Sequence, residues 1–198
     1  LQSDPQVEAL VTNEIGRAIA QAIDAAALAG PGGVAPEGIL SQTGVGSVPY
    51  VTTSGTAERA VFLSLQNEVA ASDAPMQSPA LIMSSSMRSR LMGIPIDPGS
   101  GLFIARETDD PRVVSVAGIP AWVSNNVPRT EGASSNEHVS FFGDWSELLL
   151  AMWSTVDIQP DLVTLGDSGG LVIRAFQDVD VALRHATSFA VTQTNPAA

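Results

Sequence analysis

The sequence contains no cysteine and no lysine, and only two histidines, His138 and His185. Without cysteine there is no disulfide framework, thiolate zinc site, iron–sulfur cluster or thiol nucleophile. With two histidines, a structural zinc site needs carboxylates to complete it. All nine positive residues are arginine, set against 21 Asp and Glu, and the net charge is −12. Such a chain does not grip nucleic acid by counterion release, which requires dense basic residues facing phosphate. It also lacks the basic stripe that reads acidic membranes. The longest apolar run, Leu148 to Trp153, is six residues, far short of the ~20 that span a bilayer. The N-terminal Leu1-Gln2-Ser3-Asp4 is neither a signal peptide nor a natural start, so the chain is expected to be cut from something longer.

What is present is apolar. Hydrophobic residues make up 44% of the 198 positions and charged residues 15%, well below the roughly 25% charge of an average soluble chain. That length supplies one large domain or two small ones with ample core. This is not a disordered composition, and it points to surface buried against further copies of the chain.

Residues 5–29 read as a long amphipathic helix. Asp4 can cap it and Pro5 suits the first helical position. Val7, Leu10, Val11, Ile15, Ile19, Ala22, Ile23 and Ala26 fall at helical spacings. Gly30-Pro31-Gly32-Gly33 stops it, and residues 30–55 form a loop region. A second helix is expected over 56–71, with Val61, Phe62, Leu65 and Val69 on one face. Pro79 to Met83 reads as a short strand. Ser84-Ser85-Ser86 can cap a short helix that runs through Arg90 and closes at Gly93. Strands are expected at 101–105, 112–116, 120–124, 138–142, 147–153, 171–177, 179–184 and 188–191, with a polar loop at 129–137. A helix over 145–153 is a real alternative, because Glu-Leu-Leu-Leu-Ala-Met-Trp has high helix propensity. Two helices followed by many strands, with no internal repeat, define an α+β fold with a largely antiparallel sheet.

Gly166-Asp167-Ser168-Gly169-Gly170 spells the nucleophile segment of chymotrypsin-like serine proteases. That chemistry needs a histidine base, a carboxylate that orients it, and an oxyanion hole. His138 lies only 30 residues upstream and His185 follows the serine, so two barrels do not fit between base and nucleophile. A turn entering the next strand is the better reading. Other motifs carry less. Gly30-Pro31-Gly32-Gly33 lacks the Gly-Lys-Ser/Thr of a phosphate-binding loop. Asp109-Asp110 and the Asp178/Asp180 pair offer too few oxygen ligands for a calcium loop. Trp122, Trp145 and Trp153 suit core or interface anchoring better than carbohydrate stacking. His138 and His185, each beside apolar residues, read as structural. No catalytic, cofactor-binding or metal-ligating constellation is expected.

The order of segments resembles the major capsid proteins of tailed bacteriophages, with the Hong Kong 97-type fold. The Ala-rich helix end, Ala18 to Gly30, is followed by Pro36-Glu37-Gly38-Ile39-Leu40. Then come Ala80-Leu81-Ile82-Met83 with the helix at 84–93, and Val116-Ala117-Gly118-Ile119-Pro120-Ala121-Trp122-Val123-Ser124. Phe142-Gly143-Asp144-Trp145-Ser146 and the closing stretch from Arg174-Ala175-Phe176 through Val181 to Arg184-His185-Ala186-Thr187-Ser188-Phe189-Ala190 complete it. Each motif is weak alone, and their order across nearly the whole chain carries the match.

The resemblance implies a spine helix, a peripheral lobe with an extended antiparallel sheet, and an axial lobe with a central sheet flanked by helices. Residues 1–55 would form the peripheral lobe with the spine helix, 56–140 the axial lobe, 141–185 a return to the peripheral lobe, and 186–198 a last strand in the axial lobe. The implied function is structural and not enzymatic: self-assembly into pentamers and hexamers of an icosahedral shell enclosing double-stranded DNA without tight binding. Portal, scaffold and decoration proteins are possible partners, with no membrane and no cofactor. The location is the virion, and the host cytoplasm during assembly. The family's N-terminal arm and extended loop are not matched, so a core fragment is expected. Without lysine the Lys–Asn crosslink of some members cannot form. An encapsulin-like nanocompartment shell is the alternative, and a hydrolase using Ser168 a weaker one.

Overall fold

The computed structural model describes residues 5–50, 54–110, 112–161, 163–165, 170 and 172–196. The first helix, α1 (Pro5–Ala29), is 25 residues long. Val11, Ile15, Ile19, Ile23 and Ala26 form its half-buried stripe, while Leu10, Ala18, Ala22 and Ala25 stay exposed. Its end is capped by the Pro-x-Gly-Ile segment. Gly38 N donates to Gly30 O at 3.0 Å, Ile39 N to Ala27 O at 3.0 Å and Leu40 N to Leu28 O at 2.9 Å. These bonds satisfy carbonyls that a helix C-terminus leaves orphaned. Position 38 must be glycine, because a Cβ there would lie 2.4 Å from Gly30 N and 2.5 Å from Ala29 N.

A two-residue strand, β1 (Gly46–Ser47), lies inside the expected loop region. The second helix, α2 (Gly55–Ala71), is N-capped by Ser54, whose side chain accepts from Ala57 N. After β2 (Pro79–Met83), Ser84 caps α3 (Ser85–Gly93). Then follow β3 (Ala105–Glu107), β4 (Val113–Val116), β5 (Ile119–Val123) and β6 (His138–Asp144). A 3₁₀ turn at Trp145–Glu147 leads into β7 (Leu148–Asp161), which pairs with β8 (Val172–Leu183). A second 3₁₀ turn at Ala186–Ser188 leads into β9 (Phe189–Thr194).

Two sheets result. Seven strands lie in the order β1-β9-β6-β2-β5-β4-β3, and β7 with β8 makes a separate ribbon. The β1–β9 and β2–β5 pairs are parallel and the other pairings antiparallel. On one face of the larger sheet, Leu81, Met83, Ala121, Val114, Phe142 and Ala190 pack with Phe62, Leu65 and Val69 of α2 and Met87 and Leu91 of α3. On the other face, Val139, Phe141, Phe189 and Val191 pack with Leu28, Ile39 and Val127. Coverage on both faces explains why β6 is buried nearly throughout, without the alternation of a half-exposed strand.

The strands depart from the expected ones in three places. The strand expected at 101–105 forms at Ala105–Glu107, because Gly99 and Gly101 take positive φ and residues 102–104 fold back instead on 94–96. The expected pieces 171–177 and 179–184 are one strand, since the Asp178 side chain points outward from an exposed face and breaks nothing. The strand expected at 147–153 forms but runs eight residues further, to Asp161, and the alternative helix over 145–153 does not form. Pairing with β8 along its whole length outweighs the helix propensity of its leucines.

Candidate functional site

The chemistry-bearing residues do not converge. Ser168, with Gly166, Asp167 and Gly169, lies outside the described residues; Gly170 N donates to Leu165 O at 3.0 Å. His138 meets a serine, but it is Ser84: Nδ1 and Oγ are 2.7 Å apart. Ser84 is fully buried and spends a lone pair on Met87 N as the cap of α3. Burial first, and then the charge of Arg129, hold the His138 imidazole below its usual pKa. We assign Ser84 as the donor to a neutral ring. His185 Nδ1 lies 2.8 Å from Glu147 Oε2, and Arg184 Nη1 lies 3.8 Å from Glu147 Oε1. Glu147 is buried where the ribbon joins the larger sheet, so this cluster fastens the joint.

The other sequence candidates also separate. Asp110 is held by the backbone and side chain of Arg112. Asp178 and Asp180 share the solvent-facing side of β8, and Asp180 accepts from Val181 N. Among the described residues no group of three or more His, Asp or Glu is placed to hold a metal. Trp145 is a core anchor: its ring meets Phe189 edge-on at 5.6 Å and its Nε1 donates to Ala80 O at 3.0 Å. Trp122 and Trp153 lie exposed on different sheets, so the three tryptophans form no common platform. Among the described residues no helix is long and apolar enough to cross a membrane.

Two polar networks were not anticipated. Glu58 sits at a core position of α2 with only 2% exposure. Arg90 grips it with two bonds, Nη2 to Oε1 at 2.8 Å and Nε to Oε2 at 3.2 Å, and Tyr50 donates to Oε2 at 2.8 Å. Arg90 Nη1 also donates to Pro196 O at 3.2 Å. Burial, then the hydrogen bond to Glu58, push the Tyr50 phenol far above its usual range. The network ties α2, α3, the loop before α2 and the C-terminal end together. The sequence signal was a glutamate in phase with Val61, Phe62, Leu65 and Val69. In the second network the fully buried Asp144 accepts from Gln77 N at 2.8 Å, Ser78 N at 3.0 Å, and Ser146 N and Oγ at 3.1 and 2.8 Å. This is the chemical content of the Phe-Gly-Asp-Trp-Ser motif.

The surface that stands out is the ribbon. Register puts Leu148, Leu150, Met152 and Ile158 of β7 on one face with Leu183, Val181, Val179 and Ala175 of β8. The pairing shifts between Trp153 and Asp157, a bulge that increases the twist. Helix α1 packs along β8, leaving an apolar groove of about 350 Å³ lined by Ile19, Ala22, Ile23, Ala26, Ala175 and Val179. The β7 half of the same face is open: Leu150 is 46%, Met152 63% and Ile158 44% exposed. Trp153 and Phe176 lie exposed on the reverse face. Fourteen residues of β7 reach about 46 Å, supported by one partner strand and one helix, and two-stranded ribbons are marginal alone. An exposed apolar strip of this extent marks an interaction surface.

The larger sheet and the ribbon together give the chain a fold shared with solved capsid and encapsulin shells. Its structure superposes on the capsid of a native GTA particle with a TM-score of 0.68 at 17% identity, over 97% of this chain and 67% of that one. It superposes on the SrpI encapsulin of Synechococcus elongatus PCC 7942 with a TM-score of 0.63 at 13% identity, over 97% of this chain and 67% of that one. These likenesses show the Hong Kong 97-type fold. The phage capsid family model matches residues 1–194, and the chain belongs to that family. A curated relative, the major capsid protein of Halomonas phage phiHAP-1, is 28% identical over 200 residues, which cover 99% of this chain and 30% of the relative. The chain thus spans about 30% of that relative's length.

Proposed function

We propose that the chain is the shell-forming core of a tailed phage's major capsid protein. It assembles through copies of itself into pentamers and hexamers of a closed shell around double-stranded DNA, and it acts as a structural part, not a catalyst. The observation that carries this reading is the ribbon, whose apolar β7 half is left open among the described residues. Family membership and the name of the curated relative support it. So does the charge: a wall with a net −12 per subunit repels phosphate, which keeps DNA entry free of adsorption. Virion location, and transient residence in the host cytoplasm, follow from the same reading.

We assign the lobes on the same basis. The peripheral lobe holds α1 and the β7–β8 ribbon, and the axial lobe holds the seven-stranded sheet with α2 and α3. This keeps β6 whole in the axial lobe and moves that boundary from 140 to the turn at Trp145–Glu147. Portal, scaffold and decoration proteins are the further partners such a shell engages.

Negative-stain microscopy paired with light scattering on the full-length parent protein tests the proposal. Closed shells or capsomer rings are expected. DNA as the content supports the phage capsid, and protein cargo favours the nanocompartment reading that the encapsulin likeness allows. A parent protein that stays monomeric across salt and pH removes the proposal. Labelling of Ser168 by a fluorophosphonate, abolished by Ser168→Ala, would revive the hydrolase.

A further inference from the structure

We propose that His138 is a pH-gated latch: its neutral ring holds the polar hairpin at 129–137 to the N-terminus of α3, and protonation of the ring releases it. This goes beyond the shell reading and does not depend on it. The latch is the contact between His138 Nδ1 and Ser84 Oγ at 2.7 Å. Ser84 is fully buried, and its oxygen already accepts from Met87 N at 3.3 Å as the cap of α3. The hydroxyl has one proton to give, and a neutral ring protonated at Nε2 takes it at Nδ1. One bond thus caps the helix, and the other ties that cap to the first residue of β6. The hairpin hangs from this residue. Val139 N donates to Pro128 O at 3.1 Å, and Glu131 and Glu137 exchange backbone bonds of 3.1 and 3.0 Å at the neck. A second tie to α3, from Ser85 Oγ to Asn125 Oδ1 at 2.8 Å, is exposed to water.

Protonation reverses this chemistry. Nδ1 becomes a donor, so the Ser84 oxygen faces two N–H groups and its own proton loses the acceptor it has. The new cation stands at the positive end of α3, a nine-residue helix. The bond from Val139 N to Pro128 O sets Arg129 beside the ring, and that charge adds to the opposition. The other charged groups around His138 are turned elsewhere. On α3, Arg88 lines a hollow with Glu107 and Asp110, and Arg90 grips Glu58. On the hairpin, the Glu137 carboxyl lies where a Cβ on Gly132 would stand, and Glu131 pairs across the neck with Glu137. On β9 the residue opposite is the uncharged Thr194. Among the described residues His138 makes no ion pair with a carboxylate. Burial first, and then Arg129, hold the ring below its usual range. The opened segment therefore takes up the proton first, near pH 6.5, roughly. The latch contributes fully above that value, and its contribution is lost as pH falls to and through the folded value. An acceptor that does not titrate holds such a cap at every pH; a histidine holds it only while neutral.

Hydrogen exchange read by mass spectrometry on the full-length parent protein tests this. Amide exchange, corrected for its intrinsic pH dependence, is followed in the peptides spanning 84–88 and 129–139. Exchange of the imidazole C2 hydrogen reports the titration of His138 in the same samples. Between about pH 7.5 and about pH 5, protection in both peptides is expected to fall about tenfold for each unit by which the fold depresses the ring. The ring itself is expected to titrate below about pH 6.5. His138→Asn keeps an acceptor for Ser84 and takes up no proton, so its protection is expected to stay within about twofold over the same range. Should that variant melt early, the natural chain decides alone, because ring and amides are both read in it. Protection that does not change while the ring titrates overturns the latch. So does a ring that titrates at about 6.5, the unfolded value, because the fold then has no preference for the neutral form. An equal loss of protection in a folded His138→Asn assigns the change to other groups, such as Glu131 and Glu137, and also overturns it. These readouts exist whether or not the parent assembles, so failure of the shell reading and failure of the latch are told apart.

Discussion

At the scale of single residues, the strongest commitments are buried charges that the hydrophobic pattern alone does not announce. Glu58 reads as one more polar residue on a helix until its phase with Val61, Leu65 and Val69 is counted, and its partners Tyr50 and Arg90 lie on other elements. Sequence shows the glutamate on the apolar face but not which cation meets it. Replacing Arg90 by Met leaves that carboxylate buried without its cation, at a cost of about 3–5 kcal/mol. The expected fall in Tm is about 6–20 °C for a chain of this size. Arg90→Met combined with Glu58→Leu is expected to recover most of the loss, because the uncompensated charge is then gone. Asp144 makes a different prediction. Burial pushes its pKa up, but hydrogen bonds from Gln77 N, Ser146 Oγ and N, and Ser78 N outweigh burial and hold the carboxyl below its usual range. A depressed folded pKa stabilises fully above the unfolded value of about 3.9, and that stability is lost as pH falls through the folded value. Asp144→Asn keeps one acceptor and turns a donor toward backbone N–H groups, so it costs about 1–3 kcal/mol near neutral pH. Chemical denaturation of both proteins should show the gap closing below about pH 4, and a gap that stays constant on acidification would refute the assignment.

At the scale of elements, the helices were legible because each carries its own signals: Pro5 and the Gly30 stop for α1, the apolar face of Val61, Phe62, Leu65 and Val69 for α2, and the serines at 84–86 for α3. Apart from β1 and β3, the strands of the larger sheet were legible in place but not in order, since β1-β9-β6-β2-β5-β4-β3 is set by contacts distant in sequence. The ribbon was least legible. Leu148 to Trp153 has equal claims as helix and strand, and only β8 decides between them. The Pro36-Glu37-Gly38-Ile39 segment shows a motif becoming mechanics: it closes the end of α1 by backbone bonds, at an approach too close for any side chain at position 38. Gly38→Ala must push the loop away from residues 29 and 30 and break the bonds of Gly38, Ile39 and Leu40 to the helix end. The expected cost is about 2–4 kcal/mol, with faster amide exchange at Ile39 and Leu40 as its local signature. Unchanged protection at those amides would show that the cap tolerates a Cβ.

At the scale of the whole molecule, the two sheets divide the labour. The seven-stranded sheet is covered on both faces over its centre and is stable by its own burial. The ribbon is not: one helix shields β8, and β7 presents Leu150, Met152 and Ile158 to solvent. A monomer gains only part of what those side chains can contribute, because they stay about half exposed after folding. A shell does gain, since each fully buried apolar side chain contributes about 1.5–3 kcal/mol and every copy repeats the contact. Met152→Glu with Ile158→Glu therefore separates folding from assembly. Neither side chain supports the core, so Tm is expected to move by no more than about 2 °C, as for surface substitutions. In the full-length parent protein the same pair places two charges in every copy of the contact, where burial without a partner costs several kcal/mol each. Light scattering should then show soluble small species where the parent is expected to make shells. A variant that melts early would mean the strip is already covered within the chain. One that assembles normally would mean the shell is joined elsewhere, and that the open half of the ribbon faces solvent in the particle too.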